Sequence, residues 1–233
     1  MSKKANLNSI LLVTPPFTQL NTPYPATAYL KGFLNTKSIP STQIDLGIEV
    51  ILKLFSKQGL QQMFEFSRAN IGKRTISSNA QRIFALQEQY IQSIDAVIAF
   101  LQGDNSTLSR QICSGNFLPE ASRFNQLDDM EWAFGTMGIL DKAKHLATLY
   151  LEDISDYIVE CVDANFGFSR YAERLGRSAN SFDELYQTLQ AEPTYIDNIT
   201  LELITKIVEK EQPKLVCFSV PFPGNLYSAF RVA

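Results

Sequence analysis

Three short apolar segments constrain the fold more than anything else in this chain: ILLVT (10–14), TQIDL (42–46) and KLVCFSV (214–220), each closed by proline or glycine. Runs of β-forming residues of this length read as strands buried on both faces, the pattern of a parallel sheet. Between the first two, PATAYLKGFLNTKS carries Ala28, Phe33 and Leu34 beside Tyr29 and Leu30, a short helix that Ile39-Pro40 stops. The result is a β-α-β unit of ordinary size, and right-handed crossover makes its two strands parallel neighbours. The third strand is far away. The interval from Gly47 to Pro213 is many times the dozen or so residues that a crossover needs, so something large is inserted.

Helical patterns fill that interval over 48–68, 79–101, 140–165, 182–192 and 196–211. In the third, Ala143, Ala147, Tyr150, Ile154, Tyr157 and Cys161 form a stripe at three- and four-residue spacing, with Glu152, Asp156 and Glu160 off it. Ser181-Phe182-Asp183-Glu184 has the form of a capping box that starts the fourth. After the third strand, Gly224-Asn225 opens a short helix that runs to Ala233. The expected fold class is α/β: an incomplete parallel three-stranded Rossmann-like (flavodoxin-like) sheet in order 2-1-3, with a large all-helical insertion. Residues 1–46 and 214–233 form the sheet domain and 47–213 the insertion. Three strands leave the edges of such a sheet open, so the chain reads as the front part of a longer protein, and the remainder of that parent chain is its expected partner.

Charge excludes some partners. The net charge is -3 and the pI about 5.3, without the dense Lys/Arg face that phosphate neutralisation requires, so neither nucleic acid nor an anionic membrane is expected. Lys3 and Lys4 precede an apolar run too short for a signal peptide, and no stretch approaches the roughly 20 apolar residues of a membrane span. A cytoplasmic location is expected. Cys113, Cys161 and Cys217 are far apart and in no metal-binding spacing, which points to three reduced thiols.

In an open parallel sheet the ligand sits beyond the strand ends, where adjacent outgoing chains diverge. Order 2-1-3 puts that crevice between TPPF, after the first strand, and SVPFPG, after the third. Prolines have no N–H to offer a phosphate. Pro15, Pro16, Phe17, Pro221, Phe222 and Pro223 instead supply rigid apolar walls, with Thr14 and Ser219 as nearby hydroxyls; such walls suit a broad apolar face. The alternative is that the prolines end strands and Phe17 and Phe222 pack beneath neighbouring helices.

Other candidates carry less. His145, the single histidine, lies on the long helix with Glu152 two turns on, and no catalytic triad can be assembled around it. Gly135-Thr136-Met137-Gly138 contains no basic residue and reads as a helix connection. Phe166-Gly167-Phe168-Ser169-Arg170-Tyr171 offers aromatic faces around an arginine, suited to a planar or acidic group or to docking a helix, with Arg170 pairing with Glu173 or Asp163.

ILLVTPPF, TPYPATAYLKGFL, QIDLG and LVCFSVPFPGNLYSAFR together resemble the N-terminal cobalamin-binding-type region of radical S-adenosylmethionine proteins. The segments EWAFGTMGILDKAKHLATLYLED and FGFSRYAERL resemble a long insertion in one bacterial branch of that family. The resemblance implies a corrin ring over the strand ends, with Thr14, Pro15, Pro16, Phe17, Pro23 and Tyr24 on one rim and Ser219, Val220, Pro221, Phe222, Gly224 and Asn225 on the other. It implies methyl transfer or other radical chemistry in the full-length parent. Two family motifs are absent: the D-x-H-x-x-G that gives cobalt an axial histidine, and the C-x-x-x-C-x-x-C that holds a [4Fe–4S] cluster for S-adenosylmethionine. The chain is therefore expected to be catalytically incompetent alone, and any cobalamin it binds lacks an axial imidazole from the protein. The contrasting reading is a non-catalytic helical interaction or scaffold protein; a small-molecule sensor is a third. The substrate is not specified.

Overall fold

The computed structural model describes residues 9–18, 20, 24–72, 75–126, 138–168 and 182–233. Its strands are β1 (Ile10–Thr14), β2 (Ser41–Asp45) and β3 (Leu215–Phe218). They form one parallel sheet in the order β2-β1-β3. Thus β1 is central, and the spatial order is the one that strand spacing and crossover handedness predict.

The register builds one apolar face. Val13 lies level with Ile44 and Phe218, and Leu11 with Thr42 and Val216. Alternation puts these side chains on the same side of the sheet. There they meet Leu203, Ile204, Ile207 and Val208 of a long helix, α9 (Tyr195–Glu211), together with Leu46 and Val232. The first crossover helix, α1 (Ala26–Thr36), packs along β1 and β2. Because the two crossovers run in opposite directions from β1 and β2, right-handedness puts α1 and α9 on opposite faces. On the α1 side Leu12 is buried, whereas its β3 neighbour Cys217 is half-buried and Leu215 is exposed.

The chain divides into two compact units, Met1–Ile51 with Asn165–Ala233, and Leu52–Ala164. The first holds the sheet, α1, α8 (Asp183–Gln190), α9 and α10 (Pro223–Val232). It is larger than the sheet domain expected from sequence, because α9 supplies the apolar cover of the sheet. The Ser181 capping box falls outside the described residues, and α8 starts after Phe182 without a side-chain cap. For α9 the box is Thr194 and Asp197: the Asp197 N–H donates to Thr194 Oγ1, and the Thr194 N–H to Asp197 Oδ2.

The second unit is helical. It contains α3 (Lys57–Ile71), α4 (Ser78–Ala85), α5 (Gln87–Gln102), α6 (Leu108–Cys113), a 3-10 turn (Ser122–Gln126) and α7 (Ile139–Cys161); α2 (Leu46–Leu54) leads into it. The helix expected over 48–68 is two, broken at Phe55-Ser56. Ser56 Oγ donates to the Lys53 carbonyl (2.8 Å) and accepts from the Gly59 N–H (3.0 Å), ending one helix and starting the next. Only glycine fits at 59, since a Cβ there would lie 2.1 Å from the Lys53 oxygen. The pattern over 79–101 likewise divides, at Leu86.

The α7 stripe is buried as its spacing predicts, and its hydroxyls are paired. Tyr150 Oη lies 3.0 Å from Ser93 Oγ and donates to the Tyr90 carbonyl, while Tyr157 Oη lies 2.7 Å from Ser67 Oγ. Burial raises the pKa of both tyrosines. Asp153, also buried, accepts from the Ala121 and Arg123 N–H groups, and Arg123 grips Asp156 with two nitrogens at 2.7 Å.

Candidate functional site

The C-terminal ends of the three strands bring the two proline loops together. Thr14 ends β1 opposite Asp45 of β2, and the Ser219 N–H donates to the Val13 carbonyl (2.8 Å), carrying the β1–β3 pairing one residue beyond β3. From this edge the first loop turns inward: Thr14, Pro15, Pro16, Phe17 and Thr18 are all buried. Phe17, 1% exposed, meets Phe166 edge to face at 5.9 Å. The chain after β2 also closes on it, with the Cβ position at Gly47 lying 3.7 Å from the Phe17 Cα.

The second loop turns outward. Ser219 and Pro221 are half-buried, Val220 and Phe222 are exposed, and burial resumes only at Gly224 and Asn225. Pro223 opens α10 at a position whose N–H would have no partner within the helix, which proline tolerates. Phe222 meets Tyr24, which is half-buried, with ring centroids 6.2 Å apart. Pro23 lies outside the described residues.

One hydrogen bond ties the loops together. Asn225, in the first turn of α10, donates from Nδ2 to the Pro15 carbonyl at 2.9 Å, entirely buried. Among the described residues neither its Oδ1 nor the buried Oγ1 of Thr14 has a hydrogen-bond partner. Among the described residues three further buried hydroxyls are unpaired: Ser9 and Ser41 at the opposite ends of the strands, and Tyr90 in the helical unit. Asp45 completes the edge: its Oδ1 accepts from the Ile48 N–H (3.1 Å), and burial pushes its pKa up against the pull of the Ile48 and Gly47 N–H groups.

The helix that carries Asn225 is fixed from its other end. Tyr227 Oη donates to Asp197 Oδ2 at 2.6 Å, and Arg231 Nε reaches the same oxygen at 3.1 Å. The remaining Arg231 nitrogens donate to the Leu189, Ala191 and Thr188 carbonyls at the end of α8. Burial, reinforced by the Asp197 contact, raises the pKa of Tyr227.

Sequence reasoning singled out both loops but missed Asp45, which reads as one polar residue inside a strand, and the pairing of Phe166 with Phe17. Phe166 belongs to the aromatic run of the expected insertion, and here it joins the sheet unit, with Phe168 against it at 5.6 Å. Ser169, Arg170, Tyr171 and Glu173 lie outside the described residues, as do residues 135–137. His145 is half-buried on α7. Among the described residues, no group of three or more His, Cys, Asp and Glu side chains is arranged to hold a metal ion, and no helix is long and apolar enough to cross a membrane. Comparison with families of known sequences, with characterised proteins and with solved structures finds no match.

Proposed function

We propose that this chain is the N-terminal part of a cobalamin-binding-domain-containing radical S-adenosylmethionine enzyme, with a Rossmann-like, flavodoxin-type sheet completed by the rest of the parent chain. The observation that carries the reading is the convergence of two proline loops at the β1/β3 edge, locked by Asn225 on Pro15. The exposed apolar surface fits a corrin: Val220, Phe222 and Pro223 are open to solvent, and Tyr24 stands beside Phe222. Phe17 is buried against Phe166 and would not touch the ring. Tyr24, Val220, Pro221 and Phe222 would hold the macrocycle by apolar contact and Ser219 would meet its polar edge, whereas Thr14 and Asn225 are buried and would act only by holding the loops in place.

When bound, cobalamin supplies an alkyl-carrying cobalt for methyl transfer or other radical chemistry in the parent, where the [4Fe–4S] cluster and S-adenosylmethionine belong to the remaining chain. The residues here bind and orient; none is assigned a proton transfer. The reading is tested by titrating hydroxocobalamin into the parent and into this chain, followed by absorbance. Saturable binding by the parent is expected, and its absence refutes the proposal.

A second reading, a non-catalytic interaction protein, is favoured by one observation: Phe182, Tyr186 and Phe230 are exposed and touch, with centroids 6.1 and 6.5 Å apart. Co-purification of a stoichiometric partner by a parent that binds no cobalamin would select it.

A further inference from the structure

We infer that this chain associates head to tail with further copies of itself, the outer face of α1 on one copy docking on the aromatic patch of α8 and α10 on the next. The inference takes up the patch that favours the second reading above but depends on neither reading, because no residue of the strand-end loops belongs to either face. The α1 face follows from how that helix sits on the sheet. Thr27 is buried and Lys31 and Leu34 are half-buried, a four- and three-residue spacing that turns this side to the strands. Tyr29, Leu30 and Phe33, at 77, 47 and 58% exposure, are left outside. A helix with only a sheet to cover does the reverse. Lys37 borders the outer stripe, its Nζ 5.7 Å from the centre of the Phe33 ring. With Lys31 it makes the stretch 25–40 basic, since no Asp or Glu occurs there.

The second face has the same apolar character and the opposite charge. Phe182, Tyr186 and Phe230 are exposed, with Phe182 against both of the others. The segment 182–192 carries Asp183, Glu184 and Glu192 and neither Lys nor Arg. Charge then selects the occupant. Docking α1 on the α1 of another copy would set lysine against lysine, and α8 on α8 carboxylate against carboxylate; only α1 on α8 brings opposite signs around the aromatic contacts. Within one copy the two faces cannot meet. α1 lies on one side of the sheet, and α10, whose Val232 packs with the α9 residues, on the other, with α8 held to α10 by Arg231. A second copy is therefore the partner that both faces fit. Each docked pair leaves one face of each kind open, so the association continues into a chain or closes as a ring.

Sedimentation velocity on this chain tests the inference. The weight-average mass should rise with concentration past that of a dimer and fall as salt is added. Two double variants separate the faces: Tyr29→Ser with Phe33→Ser on α1, and Tyr186→Ser with Phe230→Ser on the patch. All four side chains are exposed, so both variants should match the wild type in circular dichroism and urea midpoint, while each weakens association about tenfold or more. Mixed, the two should form a one-to-one dimer that neither forms alone, because each keeps the face that the other lacks. A wild type that stays monomeric into the millimolar range overturns the inference. So does association that persists in either double variant, as pairing through the β3 edge would give, or a mixture that restores nothing. Hydroxocobalamin titrated into the same samples reads the corrin proposal separately, so either can fail alone.

Discussion

The two proline loops are close in composition and opposite in placement. TPPF follows the central strand, where neighbours on both sides and Phe166 close over it; SVPFP follows an edge strand and stays in solvent. Proline and phenylalanine therefore specify stiffness and apolarity but not burial, which comes from the position of the preceding strand in the sheet. The β1 loop is the floor of the candidate site and the β3 loop its rim.

The largest expected effect tests the floor. Phe17→Asp buries an unpaired carboxylate against Phe166 and should destabilise the ligand-free protein by about 3 kcal/mol or more, read from a urea melt. Phe222→Asp, on the rim, should change stability by less than about 0.5 kcal/mol while weakening any apolar ligand. Equal losses from the two would erase the distinction between the loops. Next in size is the tie between them: Asn225→Ala leaves the buried Pro15 carbonyl without its donor, for an expected loss of about 1–3 kcal/mol. A melt unchanged by that substitution would show that the loops are held by packing alone.

The smallest effect is a pH dependence at the same edge. Burial raises the folded-state pKa of Asp45 above its ordinary 3.8. The stabilisation from this group is fully present below about pH 3.8 and is lost as the pH rises through the elevated folded value. Asp45→Asn should therefore leave stability unchanged in strong acid and raise it slightly at neutral pH, where the side-chain oxygen still accepts from the Ile48 N–H. A variant less stable than wild type at pH 7 would indicate that the charge itself is needed.

Much of the fold was legible in the sequence. The residues of β1 match the expected span, since an apolar run ending in two prolines has few alternatives, and the expected order 2-1-3 places it in the centre, as observed. The breaks at Ser56 and Leu86 were not legible, because the apolar spacing continues across both and only local hydrogen bonding reveals them. Asp153 escaped notice for a similar reason: a carboxylate on a helix reads as solvated until the Ala121 and Arg123 N–H groups are seen to point at it. At the candidate site the loop chemistry was visible, but the sequence left open whether Phe17 lines the site or packs inside, and its burial decides for packing. It depends on Phe166, far away along the chain.

The arginine at the end of α10 gives the rim a mechanical property. Arg231 binds three carbonyls of the α8 terminus and the aspartate that starts α9, while Tyr227 of the same helix shares that aspartate. A load applied to the β3 loop therefore passes down α10 into two other helices at once, and the loop cannot pivot about Pro223 without straining those bonds. The rim is thus held between the β3 ladder on one side and, on the other, a helix that two neighbouring helices brace.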